Sequence, residues 1–260
     1  MHFGVWDLVL IAALSLQALV VAYVHSPQWK VFVLVFPLTF TFAFLAVGSP
    51  VNSTNVWGLV LVGLFTHGVR MLHYDLRMPI ILAIVISALG YCVVGVVAAP
   101  LMPTSGWFFW TSVIAVTCLA LIAWATFPRR VENGSRTELP FLVKLPAIVV
   151  VVVLLLLLKN SLQGFTTVFP MLGVIAAYEA RGCLWTMSRA VPAIILGVLP
   201  MIATIHLTQD RYGLNVALAF GVAVFLCVFW PVSKIFLFGC QQTESFPETS
   251  QSNVGISCSK

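Results

Sequence analysis

Glu179 closes an apolar stretch, VFPMLGVIAAYEARG, two positions before Arg181. A carboxylate inside lipid is costly and commonly marks an ion or proton path, so Glu179 is a candidate proton carrier. The plainer alternative is an interfacial ion pair with Arg181 or Arg189. Pro37 and Pro170 stand at equivalent places early in two apolar segments, and each has hydroxyls beside it: Thr39 and Thr41 after the first, Thr166 and Thr167 before the second. A proline there removes a backbone donor and frees carbonyls in a medium without water, and nearby hydroxyls can take up the deficit. The functional reading is a pair of broken helices meeting around a substrate; the structural one is two kinks kept for packing. Gln17 sits at mid-depth in the first apolar segment, where its amide must find a partner, either a ligand or another helix. Pro37, Thr39, Thr41, Thr166, Thr167, Pro170 and Gln17 are therefore the candidate substrate-binding residues.

The remaining polar residues suggest less. His73, Asp75 and Arg77, and again His206, Asp210 and Arg211, form two turns that read either as matched gates or as caps and anchors of helix ends. The histidines supply no second pair for a haem. The six cysteines show no CxxC or metal spacing. No GxSxG, HExxH or P-loop pattern occurs, and the glycines are dispersed as small packing positions. The expectation is no catalytic residue, no metal and no cofactor.

The elements that carry these residues follow from composition. The chain has 260 residues, 61% hydrophobic and 8% charged, whereas soluble domains carry about 25% charged residues. The solvent for most of its surface is lipid. A span needs roughly 20 apolar residues, and nine stretches qualify: 5 to 24, 31 to 48, 56 to 72, 79 to 99, 107 to 126, 141 to 158, 164 to 180, 190 to 206 and 213 to 236. Residues 1 to 8 carry Asp7 and no basic run, so the first segment reads as a retained span and not a cleaved signal.

Of the 13 Lys and Arg, only Lys159 and Arg211 fall on one side of this arrangement. Positive residues favour the cytoplasmic side, so the N-terminus is expected outside and the C-terminus inside. The net charge of +5 belongs to span ends, and no nucleic-acid partner is read from it.

Sliding the chain by 133 to 135 positions aligns Ser26 and Gln28 with Ser161 and Gln163, Val35-Phe36-Pro37 with Val168-Phe169-Pro170, and Cys92 with Cys227. The two turns centred on His73 and His206 align as well. Spans 1 to 4 and 6 to 9 then form two repeats. The single connecting span forces the second to enter from the opposite face, giving an inverted-topology repeat. The expected fold is an all-α integral membrane protein. It comprises a first repeat at 1–106, a connecting span and cytoplasmic loop at 107–140, a second repeat at 141–240 and a disordered cytoplasmic tail at 241–260.

Residues 166 to 207, with Phe169-Pro170, Ala176-Ala177-Tyr178, Arg189 and Pro200, resemble the core of the GlpM family, small four-span bacterial membrane proteins. The first repeat shares Phe36-Pro37, whereas residues 46 to 55, AVGSPVNSTN, carry no basic loop. The resemblance implies two fused four-span units in a bacterial cytoplasmic membrane. It also implies a link to surface-polysaccharide export or production.

The expected function is a small secondary transporter, with proton coupling through Glu179. Its expected partners are membrane lipid, an unidentified small solute or ion and, optionally, further copies of the chain. Two other readings are a non-catalytic component assisting envelope or exopolysaccharide export, and a membrane-embedded enzyme or flippase. The last is disfavoured because the ionisable groups are expected at opposite faces.

Overall fold

The computed structural model describes residues 5–23, 33, 36–127, 164–168, 171–179 and 181–233, and all regular structure among them is helical. In chain order the helices are α1 (Val5–Tyr23), α2 (Leu38–Val47), α3 (Ser53–Arg70), α4 (Ile80–Ala98), α5 (Gly106–Thr126), α6 (Gly164–Val168), α7 (Met171–Glu179) and α8 (Leu184–Ser233). The span read at 141 to 158 lies outside the described residues.

Among the described residues four helices are long and apolar enough to cross a membrane: Ser53–Asp75, Ile80–Leu101, Gly106–Thr126 and Leu184–Pro231. At about 1.5 Å per residue, the 21 residues of α5 match a hydrocarbon core of about 30 Å. Its flanks and lipid-facing surface fit that environment. Ile114, Leu119 and Ile122 are exposed along its middle, and Trp107, Trp110 and Trp124 stand exposed near its ends, where amphipathic rings settle at the headgroup level. α4 likewise exposes Val85, Leu89, Val93 and Val97 on its outer face. In water such faces would aggregate; against lipid they cost nothing.

α8 is long enough for two crossings and is folded back on itself. Gly213, with φ 77 and ψ 162, interrupts the helix, a conformation essentially restricted to glycine. The arms 184–212 and 214–233 pack together: a Cβ at Gly221 would lie 2.6 Å from Ile205 Cγ1, and one at Gly197 would lie 3.1 Å from Phe229 Cδ2. Residues 205 and 221, and 197 and 229, are equidistant from Gly213, so the hairpin turns about that glycine.

α3 is the hub. It packs against α4, α5, α6, α7 and the first arm of α8, and it contributes to both apolar cores, with Leu61, Phe65 and Val69 in one and Val56 and Leu59 in the other. Its sequence explains this. Gly58, Gly63 and Gly68 recur every five residues, and at about 100° per residue each successive glycine is turned by roughly 140°. The three bare positions therefore face three directions. A Cβ would meet Val168 of α6 at 3.0 Å from Gly58, Val191 of α8 at 3.4 Å from Gly63, and Ser87 of α4 at 3.0 Å from Gly68.

Side-chain bonds fix the helix directions. Trp57 Nε1 donates to Ser112 Oγ at 3.1 Å near the starts of α3 and α5, and His67 lies against Phe127 with ring centroids 4.8 Å apart near their ends. These two helices run parallel. The first arm of α8 runs the other way, with Trp185 beside Arg70 and His206 beside Val51. The bundle thus has an Asn52 end and an Arg70 end.

Candidate functional site

Glu179 is the last residue of α7, a nine-residue helix packed against α1, α3 and α4. It is 1% exposed and ranks among the largest fully buried side chains, while Arg181, two residues on, is exposed. The carboxyl thus sits inside the bundle, near its Arg70 end. A polar group buried there needs hydrogen-bonding partners inside the bundle. The loop that follows is tied down: Tyr74 OH donates to the Arg181 carbonyl at 2.9 Å, and the Arg70 guanidinium carbon lies 4.4 Å from the centroid of the Trp185 ring, within cation–π range.

The chain breaks at Pro37, which serves as the N-cap of α2 with φ −76 and ψ 15. This is a sharper outcome than a kink, and it needs no ladder donor from the proline. Gln17 of α1 compensates the break. It is 4% exposed, and its Nε2 donates to Val33 O at 2.6 Å and to Phe36 O at 3.1 Å. Thr41 Oγ1 donates to Pro37 O at 2.7 Å. The Gln17 amide and the Thr41 hydroxyl are therefore committed to the broken backbone, while Gln17 Oε1 is buried without a hydrogen bond.

Thr167 of α6 is 4% exposed and accepts from Asn55 Nδ2 across to α3 at 2.8 Å. The backbones of Thr39 and Thr166 lie in α2 and α6, but their side chains, like all of Phe169 and Pro170, fall outside the described residues. The structure therefore brings Gln17 together with the Pro37 break and Thr41, and Thr167 with Asn55.

Compared with protein-family models, curated proteins and solved structures, the chain matches none.

A second polar cluster was not among the sequence-derived site residues. Residues 51 to 55, within the stretch 46 to 55 read only as carrying no basic loop, anchor the Asn52 end. Gln209 grips both main-chain groups of Val51, its Oε1 accepting from Val51 N at 2.7 Å and its Nε2 donating to Val51 O at 3.1 Å. His206 Nδ1 donates to the same carbonyl at 2.9 Å and its ring stacks on Phe109 with centroids 3.7 Å apart. Ser53 Oγ reaches Pro103 O at 3.0 Å. Besides the turn at His206, the signal available in sequence was local: Asn52 accepts from Thr54 N at 3.0 Å and Asn55 Oδ1 accepts from Asn52 N at 2.8 Å, the reciprocal capping that an Asn-Ser-Thr-Asn run favours.

Helical hydroxyls mostly bond back to the carbonyl four residues earlier, as Thr66, Ser112, Thr117, Thr204 and Thr208 do. Ser87 of α4 and Ser188 of α8 depart from this pattern, their Oγ atoms buried without a hydrogen bond. Both lie toward the Arg70 end, as do Glu179 and the buried Arg70 Nε, which also lacks a hydrogen bond. Buried polar groups at the Asn52 end, among them Asn55, Ser53 and Thr167, are hydrogen-bonded. His67 and His73 each bond a nearby carbonyl, Gly63 O at 3.0 Å and Met78 O at 2.9 Å. Among the described residues no three His, Cys, Asp or Glu side chains converge as a metal site would require.

Proposed function

We propose that this membrane protein is a small secondary transporter of nine spans, built as two inverted four-span repeats joined by one crossing, with Glu179 as its proton-carrying group. The observation that carries the reading is the burial of the Glu179 carboxyl, 1% exposed inside an apolar helical bundle. A membrane protein seldom retains such a group without a task for it. Gln17 Oε1, Ser87 Oγ and Ser188 Oγ add buried polar atoms with spare hydrogen-bonding capacity.

Several contacts favour the repeat. Under it α2 pairs with α7, α3 with the first arm of α8, and α4 with the second arm. α3 meets α8, and the contact of α3 with α7 is answered by one between α8 and α2, as a two-fold relation requires. The orientation draws on charge: Arg70, Arg77, Arg181 and Arg189 stand at or toward the Arg70 end and Arg211 at the other. That makes the Arg70 end cytoplasmic.

The test uses proteoliposomes loaded with a pH-sensitive dye under an imposed potassium diffusion potential, alone and with a panel of solutes. Glu179→Gln is expected to reduce proton entry to the protein-free rate while the variant still purifies as a folded species. Unchanged proton entry removes the coupling role.

A second reading, a non-catalytic component of an envelope-export system as the GlpM resemblance implies, is favoured by a different observation. The Thr41 hydroxyl and the Gln17 amide serve the Pro37 break, and three glycines of α3 close the centre tightly. On that reading Glu179→Gln leaves proton flux unaltered.

A further inference from the structure

The two turns that the repeat relates are each bonded across the bundle to a loop that the repeat also relates, at opposite ends. At the Asn52 end the turn between the arms of α8 reaches the α2–α3 loop through Gln209 and His206, both on Val51. At the Arg70 end the α3–α4 turn reaches the α7–α8 loop through Tyr74 on the Arg181 carbonyl, with Arg70 over Trp185 beside it. The bonds differ in kind, His73 holding Met78 O within its own turn where His206 holds Val51 O, but each junction ties a turn to a loop between the same two helices. We propose that these junctions are reciprocal gates of a single path, the Asn52-end gate being the tighter, so that the resting protein is closed to the outside. The inference rests on the repeat and orientation proposed above.

Three features give the device its mechanics. Both gates join the same two rigid elements, α3 and the first arm of α8, and these are held together between the gates where Gly63 meets Val191. Two rods pinned along their length cannot part at both ends at once; opening one end tilts the other shut, a rocking motion that packed helices accommodate. The ties are also unequal. Val51 is 1% exposed and held by three hydrogen bonds beneath the His206–Phe109 stack. Tyr74 makes its bond at the exposed surface, where water competes for both partners.

The test is thiol labelling with a membrane-impermeant maleimide in sealed vesicles of each orientation. Cys92, Cys118, Cys227, Cys240 and Cys258 are replaced, Cys183 is kept as the Arg70-end reporter, and Val51→Cys is the Asn52-end reporter, because Val51 is held through its main chain. Gln209→Ala is expected to speed labelling at position 51 about tenfold or more and to slow labelling of Cys183. Tyr74→Phe is expected to speed Cys183 and not position 51. His206→Phe keeps an aromatic ring against Phe109 but loses the bond to Val51, and should repeat the Gln209→Ala pattern if that variant misfolds. Faster labelling at both reporters, or a change at only the loosened end after Gln209→Ala, overturns reciprocity. Position 51 reacting only from the cytoplasmic side refutes the proposed orientation and leaves reciprocity to be read from the two rates. Neither outcome depends on finding a substrate.

Discussion

Gln17 shows how a polar side chain inside an apolar bundle can be matched by backbone from another segment. Its amide bonds Val33 O, which also accepts from Phe36 N at 3.3 Å, and Phe36 O, which the break at Pro37 would otherwise leave as a bare acceptor. Each orphaned buried carbonyl costs about 1–3 kcal/mol. Gln17→Met, close in shape but unable to donate, is therefore expected to destabilise the protein by about 1–3 kcal/mol and to lower its unfolding midpoint in detergent. An unchanged midpoint would mean that the break is satisfied in some other way. The sequence marked Gln17 as needing a partner and Pro37 as freeing carbonyls, yet could not join them, because the two residues belong to different helices. The clamp of Gln209 on Val51 was hidden for the same reason, since it links residues 158 apart and no local pattern encodes such a meeting. Glu179 stood out at once, because a lone acid in an apolar run is visible without knowing the fold; its 1% exposure was not.

At the level of elements, apolar length and turn chemistry made most helices readable. The span read at 79 to 99 is occupied by Ile80–Ala98, and that at 107 to 126 by Gly106–Thr126. The reading of 56 to 72 was too short at both ends. α3 starts at Ser53, because Asn52 caps it and the polar Ser53, Thr54 and Asn55 are buried against protein and not lipid; it continues as a π turn through Asp75. Close helix approach supplies the prediction at this scale. A methyl at Gly221 meets Ile205 at 2.6 Å, so Gly221→Ala must push the arms of α8 apart and is expected to cost about 1–3 kcal/mol. Ile205→Ala in the same chain should recover part of the loss. At Gly58 the nearest contact is Val168 Cβ at 3.0 Å, followed by its two methyls at 3.3 and 3.4 Å, so Gly58→Ala should be milder and only partly relieved by Val168→Ala, which removes the methyls and keeps Cβ. Detergent unfolding of the single and double variants measures both couplings.

For the whole molecule, the proposed topology makes a prediction independent of any transported solute. Reporter fusions that work only in the cytoplasm should be active at the C-terminus and at a site in the loop 127–140, and inactive at the N-terminus. Both chain ends in one compartment would require an even number of crossings and remove the inverted relation. Charge is the part of this layout that a sequence can address, since insertion responds to Lys and Arg near span ends whatever the later packing. Packing itself was not legible, because lipid-facing and protein-facing apolar residues have the same chemistry and only contacts separate them.

The three glycines of α3 carry one more implication, about synthesis. Val168 and Val191, which close over Gly58 and Gly63, leave the ribosome on the order of 100 residues after them, a delay of about 5–20 seconds at ordinary elongation rates. Through that interval the central helix is inserted with two of its seats vacant. A nascent chain arrested before α6 would present an unfinished hub to the proteases that survey the membrane, so the protein's yield should depend on uninterrupted translation between α5 and α8.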